Sequence, residues 1–344
     1  MSTLAQRAEV LKLARVLGVP PSQLEYLHKL DANVIRRLRE QASAALFDAD
    51  RKLFQRVAAA TRLLPAPLIA IIAEKAIGPL LCARTTGLLP PERAVEISKR
   101  LKTGFLADLC LELDPRPASD VIAAMPVGRV VEVSRELARR KEYITMARFV
   151  DCLDDHAIRA VMEDLRDDEV LLRIGFFVED KQRLGDILDL LPRERLLNIV
   201  RVAAGGDAEL WPEALAMINS IEEPQRRQMA NLAAELEEAA IVRMIESTQV
   251  QGLWPAMLPV VSMMTIDSQR RLINLPVLQN EAVLAAFIQA VDSADLWTQL
   301  LPLVALMDNA GQARAARIAE SQGLKMAARL TESLRAPAKP AAHA

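Results

Sequence analysis

Three stretches of the chain carry one and the same hydrophobic stripe. ELWPEALAMINSI, GLWPAMLPVVSMM and DLWTQLLPLVALM surround Trp211, Trp254 and Trp297, the three tryptophans of the chain, spaced 43 and 43 residues apart. Counted from each Trp, apolar residues recur at the fourth, seventh and tenth positions. The sets are Leu215, Ile218 and Ile221; Leu258, Val261 and Met264; Leu301, Val304 and Met307. That spacing keeps one face of a helix apolar and predicts the same helix three times. The register continues: Met229 and Leu232 answer to Leu272 and Leu275, then to Ala315 and Ile318. Ile241, Met244 and Ile245 answer to Leu284, Phe287 and Ile288. Each unit thus predicts about three short helices, a period typical of HEAT and armadillo-type α-solenoids. One such unit cannot bury its apolar face alone, so neighbours must stack. At the corresponding positions the third unit carries Ala327, Leu330 and Thr331, smaller and more polar, as a terminal cap should be. Residues 336–344 read as a disordered tail. Pro259 and Pro302, equivalent and mid-stripe, should kink or split their helices.

A second pattern precedes the first. Leu89-Pro90-x-x-Arg93, Met125-Pro126-x-x-Arg129, Leu191-Pro192-x-x-Arg195 and Pro224-x-x-Arg227 each open an apolar helical run. Proline pre-sets φ for a first helical turn, so each marks a helix start. The arginines are expected to bind an acidic group or carbonyl on the adjacent repeat.

DPRPASDVIAAMPVGRVVEVSREL, from residue 114, resembles the cytosolic N-terminal superhelical domain of MgtE-type magnesium transporters, as does LGDILDLLPRERLLNIVRVA from residue 184. The flagellar motor switch protein FliG shares related short-helix repeats. The resemblance covers roughly residues 85–205 and implies a right-handed superhelix of short helices. In that family the module senses Mg²⁺ through acidic surface residues. The CBS and membrane domains of a full transporter are missing from the pattern, so transport is not implied.

Composition narrows the choice. Only 12 residues are Gly and only 12 are Phe, Trp or Tyr, too few for the turns and faces of a large sheet. The formal net charge of −2 makes nucleic acid an unexpected general partner. The most apolar stretch, residues 63–83, holds Pro65, Pro67, Pro79, Glu74 and Lys75. These interrupt any membrane span, so it reads as a buried or surface-docking helix, and peripheral membrane contact stays open. With no span, no signal peptide and three scattered cysteines (Cys82, Cys110 and Cys152), a cytoplasmic location is expected.

Candidate chemistry is sparse. Asp164, Asp167 and Asp168 are the best carboxylates for a divalent cation such as Mg²⁺, though interleaved arginines favour a solvated ion-pair face. Cys152 and His156 could meet on a helix, but no orienting partner is visible. Lys29, Arg36, Arg37 and Arg39 lie in a faint helix-turn-helix cadence over residues 14–41. The expectation is an all-α solenoid: a helical cap over 1–60, magnesium-transporter-like repeats over 61–205, and Trp-marked repeats over 206–335. Its expected task is non-enzymatic binding of a protein partner, without a cofactor. A Mg²⁺-responsive sensor and a DNA-associated regulator are the alternatives.

Overall fold

The computed structural model describes residues 4–48, 51–61, 63–205 and 209–322. Every regular element among the described residues is helical. The protein is all-α, as the 3.6-residue periodicity requires. The chain forms two compact units, Met1–Leu190 and Leu191–Ala344. The division falls one helix before Gly205-Gly206, because the Arg193–Gly205 helix packs against the three helices that follow it. The expected tail over 336–344 and the cap positions Ala327, Leu330 and Thr331 lie outside the described residues.

The first unit begins with a small helical hairpin. Leu4–Leu17 and Ala32–Asp48 pack on each other across the 3₁₀ helix Pro21–Lys29. Val10, Leu13, Ala14, Leu24, Leu27 and Ile35 form its core. Beyond it most helices alternate between two rows, while Tyr143–Phe149 packs on Asp168–Phe177 outside them. One row runs Arg51–Ala60, Pro79–Thr86, Thr103–Glu112, Val127–Arg139, Asp155–Asp164 and Lys181–Leu190, each packed on the next. The other runs Ala66–Ile72, Pro91–Ser98, Ser119–Ala123 and the 3₁₀ turn Val150–Cys152. Contacts between neighbours in a row are the signature of a one-dimensional array.

The apolar stretch over 63–83 is neither one helix nor buried on all sides. It breaks into Ala66–Ile72, a π turn over Ala73–Ile77, and Pro79–Thr86. Gly78, at φ +83, makes the break, a conformation that costs only glycine little. Ala66, Ile69, Ala70 and Ala73 join a core with Ile97, Leu101 and Leu106. Leu64, Leu68 and Ile71 stay exposed; among the described residues this first helix packs in its row on Pro91–Ser98.

In the second unit three rows repeat. Leu210–Ser220, Trp254–Ser262 and Trp297–Val304 form the tryptophan row. Glu223–Ala234 packs on Ile266–Ile273, and Glu238–Gln251 on Glu281–Ser293. All three tryptophans and every stripe residue except the half-buried Leu301 are buried. The Trp254 and Phe287 ring centroids lie 4.7 Å apart. Pro259 and Pro302 end their helices within three residues rather than kinking long ones.

The 43-residue offset also governs polar contacts. Asn231 Nδ2 donates to the Arg227 carbonyl, and Asn231 Oδ1 accepts from the Thr265 N–H at 3.0 Å. Asn274, 43 residues on, donates to the Arg270 carbonyl and accepts from the Asp308 N–H at 2.9 Å. Arg271 reaches the Leu236 carbonyl as Arg314 reaches that of Gln279. Trp254 Nε1 donates to Gln249 as Trp297 Nε1 does to Asp292. Trp211 differs, donating to the buried Thr248 hydroxyl at 2.8 Å.

Candidate functional site

The proline–arginine motif builds a staple. Pro90 and Pro126 sit at the N-cap, one position before the first turn, with ψ of 136° and 133°. The Pro90 carbonyl accepts from the N–H groups of Arg93 and Ala94, and the Pro126 carbonyl from those of Arg129 and Val130. Arg93 and Arg129 therefore fall in the first turn. There they reach back to carbonyls at the end of an earlier helix and in the turn or bend that follows it. Arg93 donates to the carbonyls of Thr61, at 2.9 Å, and Leu64. Arg129 donates to those of Ser98, at 3.3 Å, and Leu101. Each also pairs with a glutamate three residues on, Glu96 and Glu132 respectively.

Arg195 shares the local geometry, since the Pro192 carbonyl accepts from the N–H groups of Arg195 and Leu196. Arg227 does not. The N-cap of its helix is Glu222, so Pro224 falls inside the first turn and Arg227 stands two positions further from its N-cap than Arg93 does from Pro90. Two residues turn a helical side chain by about 200°. Arg227 consequently pairs with Glu223 of its own helix at 2.6 Å. A further staple carries Asp in place of Pro. Asp180 accepts from the N–H groups of Gln182 and Arg183, and Arg183 reaches the Leu153 carbonyl at 2.8 Å and Asp155 at 2.7 Å. Its Asp-x-x-Arg spacing equals Pro-x-x-Arg and was legible as an alternative N-cap.

The three aspartates proposed for a cation do different work. Asp164 takes both donors of the Arg135 fork, at 3.0 and 2.5 Å. That hydrogen bonding holds its carboxyl below the usual carboxylate range. Asp167 caps the Asp168–Phe177 helix, accepting from the Glu169 N–H at 3.0 Å. Asp168 stands in the first turn of that helix. Among the described residues no group of three His, Cys, Asp or Glu side chains could hold a metal ion. The cysteines lack activation. Burial pushes the thiol of Cys82 up to about 11 and that of Cys110 to about 12, and it raises Cys152 as well. Cys152 Sγ faces the Pro115 carbonyl at 3.8 Å, and His156 is exposed.

The densest titratable chemistry lies where the N-terminal hairpin meets the rest of the first unit. Glu9 and Lys12 are only 3% and 4% exposed, and Arg39 is buried with them. Lys12 Nζ lies 3.1 Å from Glu9 and 3.2 Å from Glu179. Arg39 Nε lies 3.2 Å from Glu9, and its Nη2 lies 2.9 Å from Glu179. Two carboxylates and two cations thus alternate in a closed ring. Charges so deeply buried are tolerable only when paired in this way. Burial pushes the Glu179 carboxyl up, but Lys12, Arg39 and Arg36 outweigh it and leave it below its ordinary value. Burial, then the positive Lys12 and Arg36, push Lys181 down to about 8. Arg15 adds a pair to Glu142 at 2.8 Å. Arg36, expected at a nucleic-acid face, lies 3.5 Å from Glu9. Nothing local in the sequence announces this ring, because Glu9 and Glu179 are joined only by the fold.

On its outer side the same hairpin is apolar. Tyr26, Leu30, Val34 and Leu38 are exposed at a spacing of four residues. The exposed Glu25, Lys29, Asp31 and Arg37 border them with both signs of charge. Fold and site together define an all-helical repeat protein. No family model, no curated protein and no solved structure matches the chain. The likeness of residues 85–205 to the magnesium-transporter domain therefore rests on its motifs alone.

Proposed function

We propose that the protein is a non-enzymatic helical-repeat scaffold that binds a protein partner through its N-terminal hairpin. The observation that carries this reading is the exposed row Tyr26, Leu30, Val34 and Leu38. It stands on a hairpin whose opposite side is fixed by the buried ring of Glu9, Lys12, Arg39 and Glu179. Val34 and Leu38 share one face of Ala32–Asp48, and Tyr26 and Leu30 are exposed on the 3₁₀ segment and bend before it. Such an apolar patch, edged by both charge signs, suits an amphipathic helix of a partner. The fixed hairpin lowers the ordering cost of binding. The Mg²⁺ reading gains no such support, since Arg135 occupies both oxygens of Asp164. A DNA reading is weakened by the engagement of Arg36 and Arg39 with Glu9.

The test is cross-linking capture from native lysate with the wild type and with Val34→Glu plus Leu38→Glu. Both positions are exposed, so the helical circular-dichroism spectrum should not change. The expected result is a partner captured by the wild type and lost by the variant. Identical capture by both proteins would remove the hairpin row from the binding surface.

A further inference from the structure

The Ala66–Ile72 helix is apolar all the way round, yet only one face is covered. Ala66, Ile69, Ala70 and Ala73 point into the core. On the other side Leu64, Leu68 and Ile71 are exposed, and Lys75, one helical turn beyond Ile71, continues that face. Leu63, in the bend before the helix, is 84% exposed. A leucine so fully in water at the end of a helical row keeps an apolar surface that burial would favour.

Charge tells what covers it. The loop after Pro91–Ser98 is tied to the π turn of this helix, because the Lys102 N–H donates to Glu74 at 2.7 Å and Lys102 Nζ lies 3.3 Å from the same carboxylate. This brings Lys99, Arg100 and Lys102, all exposed, to the end of the helix that bears Lys75. Glu74 answers one of these four cations, and Glu96 is taken by Arg93. Glu92 is the further exposed acid on the neighbouring helix. The face is thus leucine and isoleucine with a positive rim. The hairpin row, by contrast, is edged by acids as well as bases. A second copy of this face would set one positive rim against another. An anionic lipid surface satisfies both features: the acyl boundary takes the leucines, and the headgroups take the lysines.

We propose that the face formed by Leu63, Leu64, Leu68, Ile71 and Lys75, with Lys99 and Arg100 at its rim, docks the protein peripherally on an anionic lipid bilayer. No described helix is long and apolar enough to cross a membrane, so the contact is interfacial. This surface is separate from the hairpin row proposed for the protein partner.

The experiment is co-sedimentation of the full chain with vesicles of phosphatidylcholine alone, and with vesicles containing roughly a third phosphatidylglycerol. At low salt, the anionic vesicles should bind at least about tenfold more strongly than the neutral ones, and added salt should reduce the difference. Leu68→Glu plus Ile71→Glu should abolish pelleting. Lys99→Glu plus Arg100→Glu should lower it several-fold. Both pairs are exposed, so helical content should be retained, and the charge pair tests the proposal even where the apolar pair perturbs folding. No pelleting of the wild type with anionic vesicles at low salt overturns the proposal. So does equal pelleting by either pair. A concentration-dependent dimer that dissociates in the Leu68→Glu/Ile71→Glu variant and binds no vesicles would assign the face to a second copy instead.

Discussion

The two units solve the same packing problem with different chemistry. In the second, the largest fully buried side chains are Leu196, Leu210, Leu215, Ile221, Met229, Leu236, Met244, Ile245 and Met257; in the first they are Leu13, Ile35 and Leu172. Among the described residues, the exposed large hydrophobics show the reverse bias: all lie in the first unit except Val250 and Ile266. Arginines close helix ends in both units, Arg93, Arg129 and Arg183 in the first and Arg271 and Arg314 in the second, but the buried ring of four charges that anchors the hairpin belongs to the first. Dry packing gives stability in proportion to the area removed from water, whereas buried ion pairs give little net stability and much specificity of arrangement. The contrast places most of the deeply buried apolar side chains in the second unit and most of the exposed ones in the first.

The sharpest way to break this contrast is Trp254→Ala. The indole is 5% exposed and packs on Phe287, so its removal should cost about 3–5 kcal/mol. Urea unfolding followed by the fluorescence of Trp211 and Trp297 reads the loss, since every tryptophan lies in the second unit. A cost below about 1 kcal/mol would mean that the stripe is not the core.

Next in size is Glu179→Ala. It strands Lys12 and Arg39 with one carboxylate between them. The cost should be about 2–3 kcal/mol, below the value for a fully buried pair because Glu179 is partly exposed. Helical circular dichroism during urea unfolding reports it. The control sharpens the point. Lys12→Met combined with Glu179→Leu leaves Glu9 and Arg39 as a balanced pair and should recover most of the loss. If the double variant is as unstable as the single, the ring is a set of independent contacts and the comparison between the units weakens.

Lys181 gives a pH signature of the first unit alone. Its folded pKa, about 8, lies below the ordinary 10.5. Between those values the unfolded chain binds more protons than the folded one, so stability should rise with pH across that window. Below pH 8 the full cost of burying the charged ammonium is present. Lys181→Met should raise stability at pH 7 and remove the slope attributable to this group. An unchanged slope would mean that Lys181 is as well solvated folded as unfolded.

What was legible in the sequence divides along the same line. The tryptophan stripe, the 43-residue register and the all-helical class could be read because a helix repeats its own pattern locally. The proline–arginine motif was legible as a helix start, but its proline stands one position earlier than a first-turn proline, which is what carries Arg93 and Arg129 back to the preceding carbonyls. Arg227 shows the limit: the same spacing in residues, with the N-cap moved to Glu222, gives a different face. Long-range charge was invisible. The interleaved arginines pointed to an ion-pair face around Asp164, but its partner, Arg135, stands 29 residues away, and Glu9 gave no sign of Glu179. The apolar run over 63–83 was visible, but not which of its side chains the fold leaves exposed.

The smallest expected effect tests that reading of the motif directly. Arg129→Lys keeps the charge but loses the fork that serves the Ser98 and Leu101 carbonyls and Glu132 together. A lysine's single compact ammonium cannot span all three acceptors as the planar fork does, so the first unit should lose about 1 kcal/mol. Arg227→Lys keeps an exposed pair with Glu223 on one helix and should change stability by less than about 0.5 kcal/mol. The difference between the two substitutions matters more than either value. If Arg227→Lys costs as much as Arg129→Lys, helix register does not decide which arginine bridges helices, and spacing alone defines the motif. If both are silent, the staples position the helices without holding them, and the apolar contacts in each row carry the first unit as they do the second.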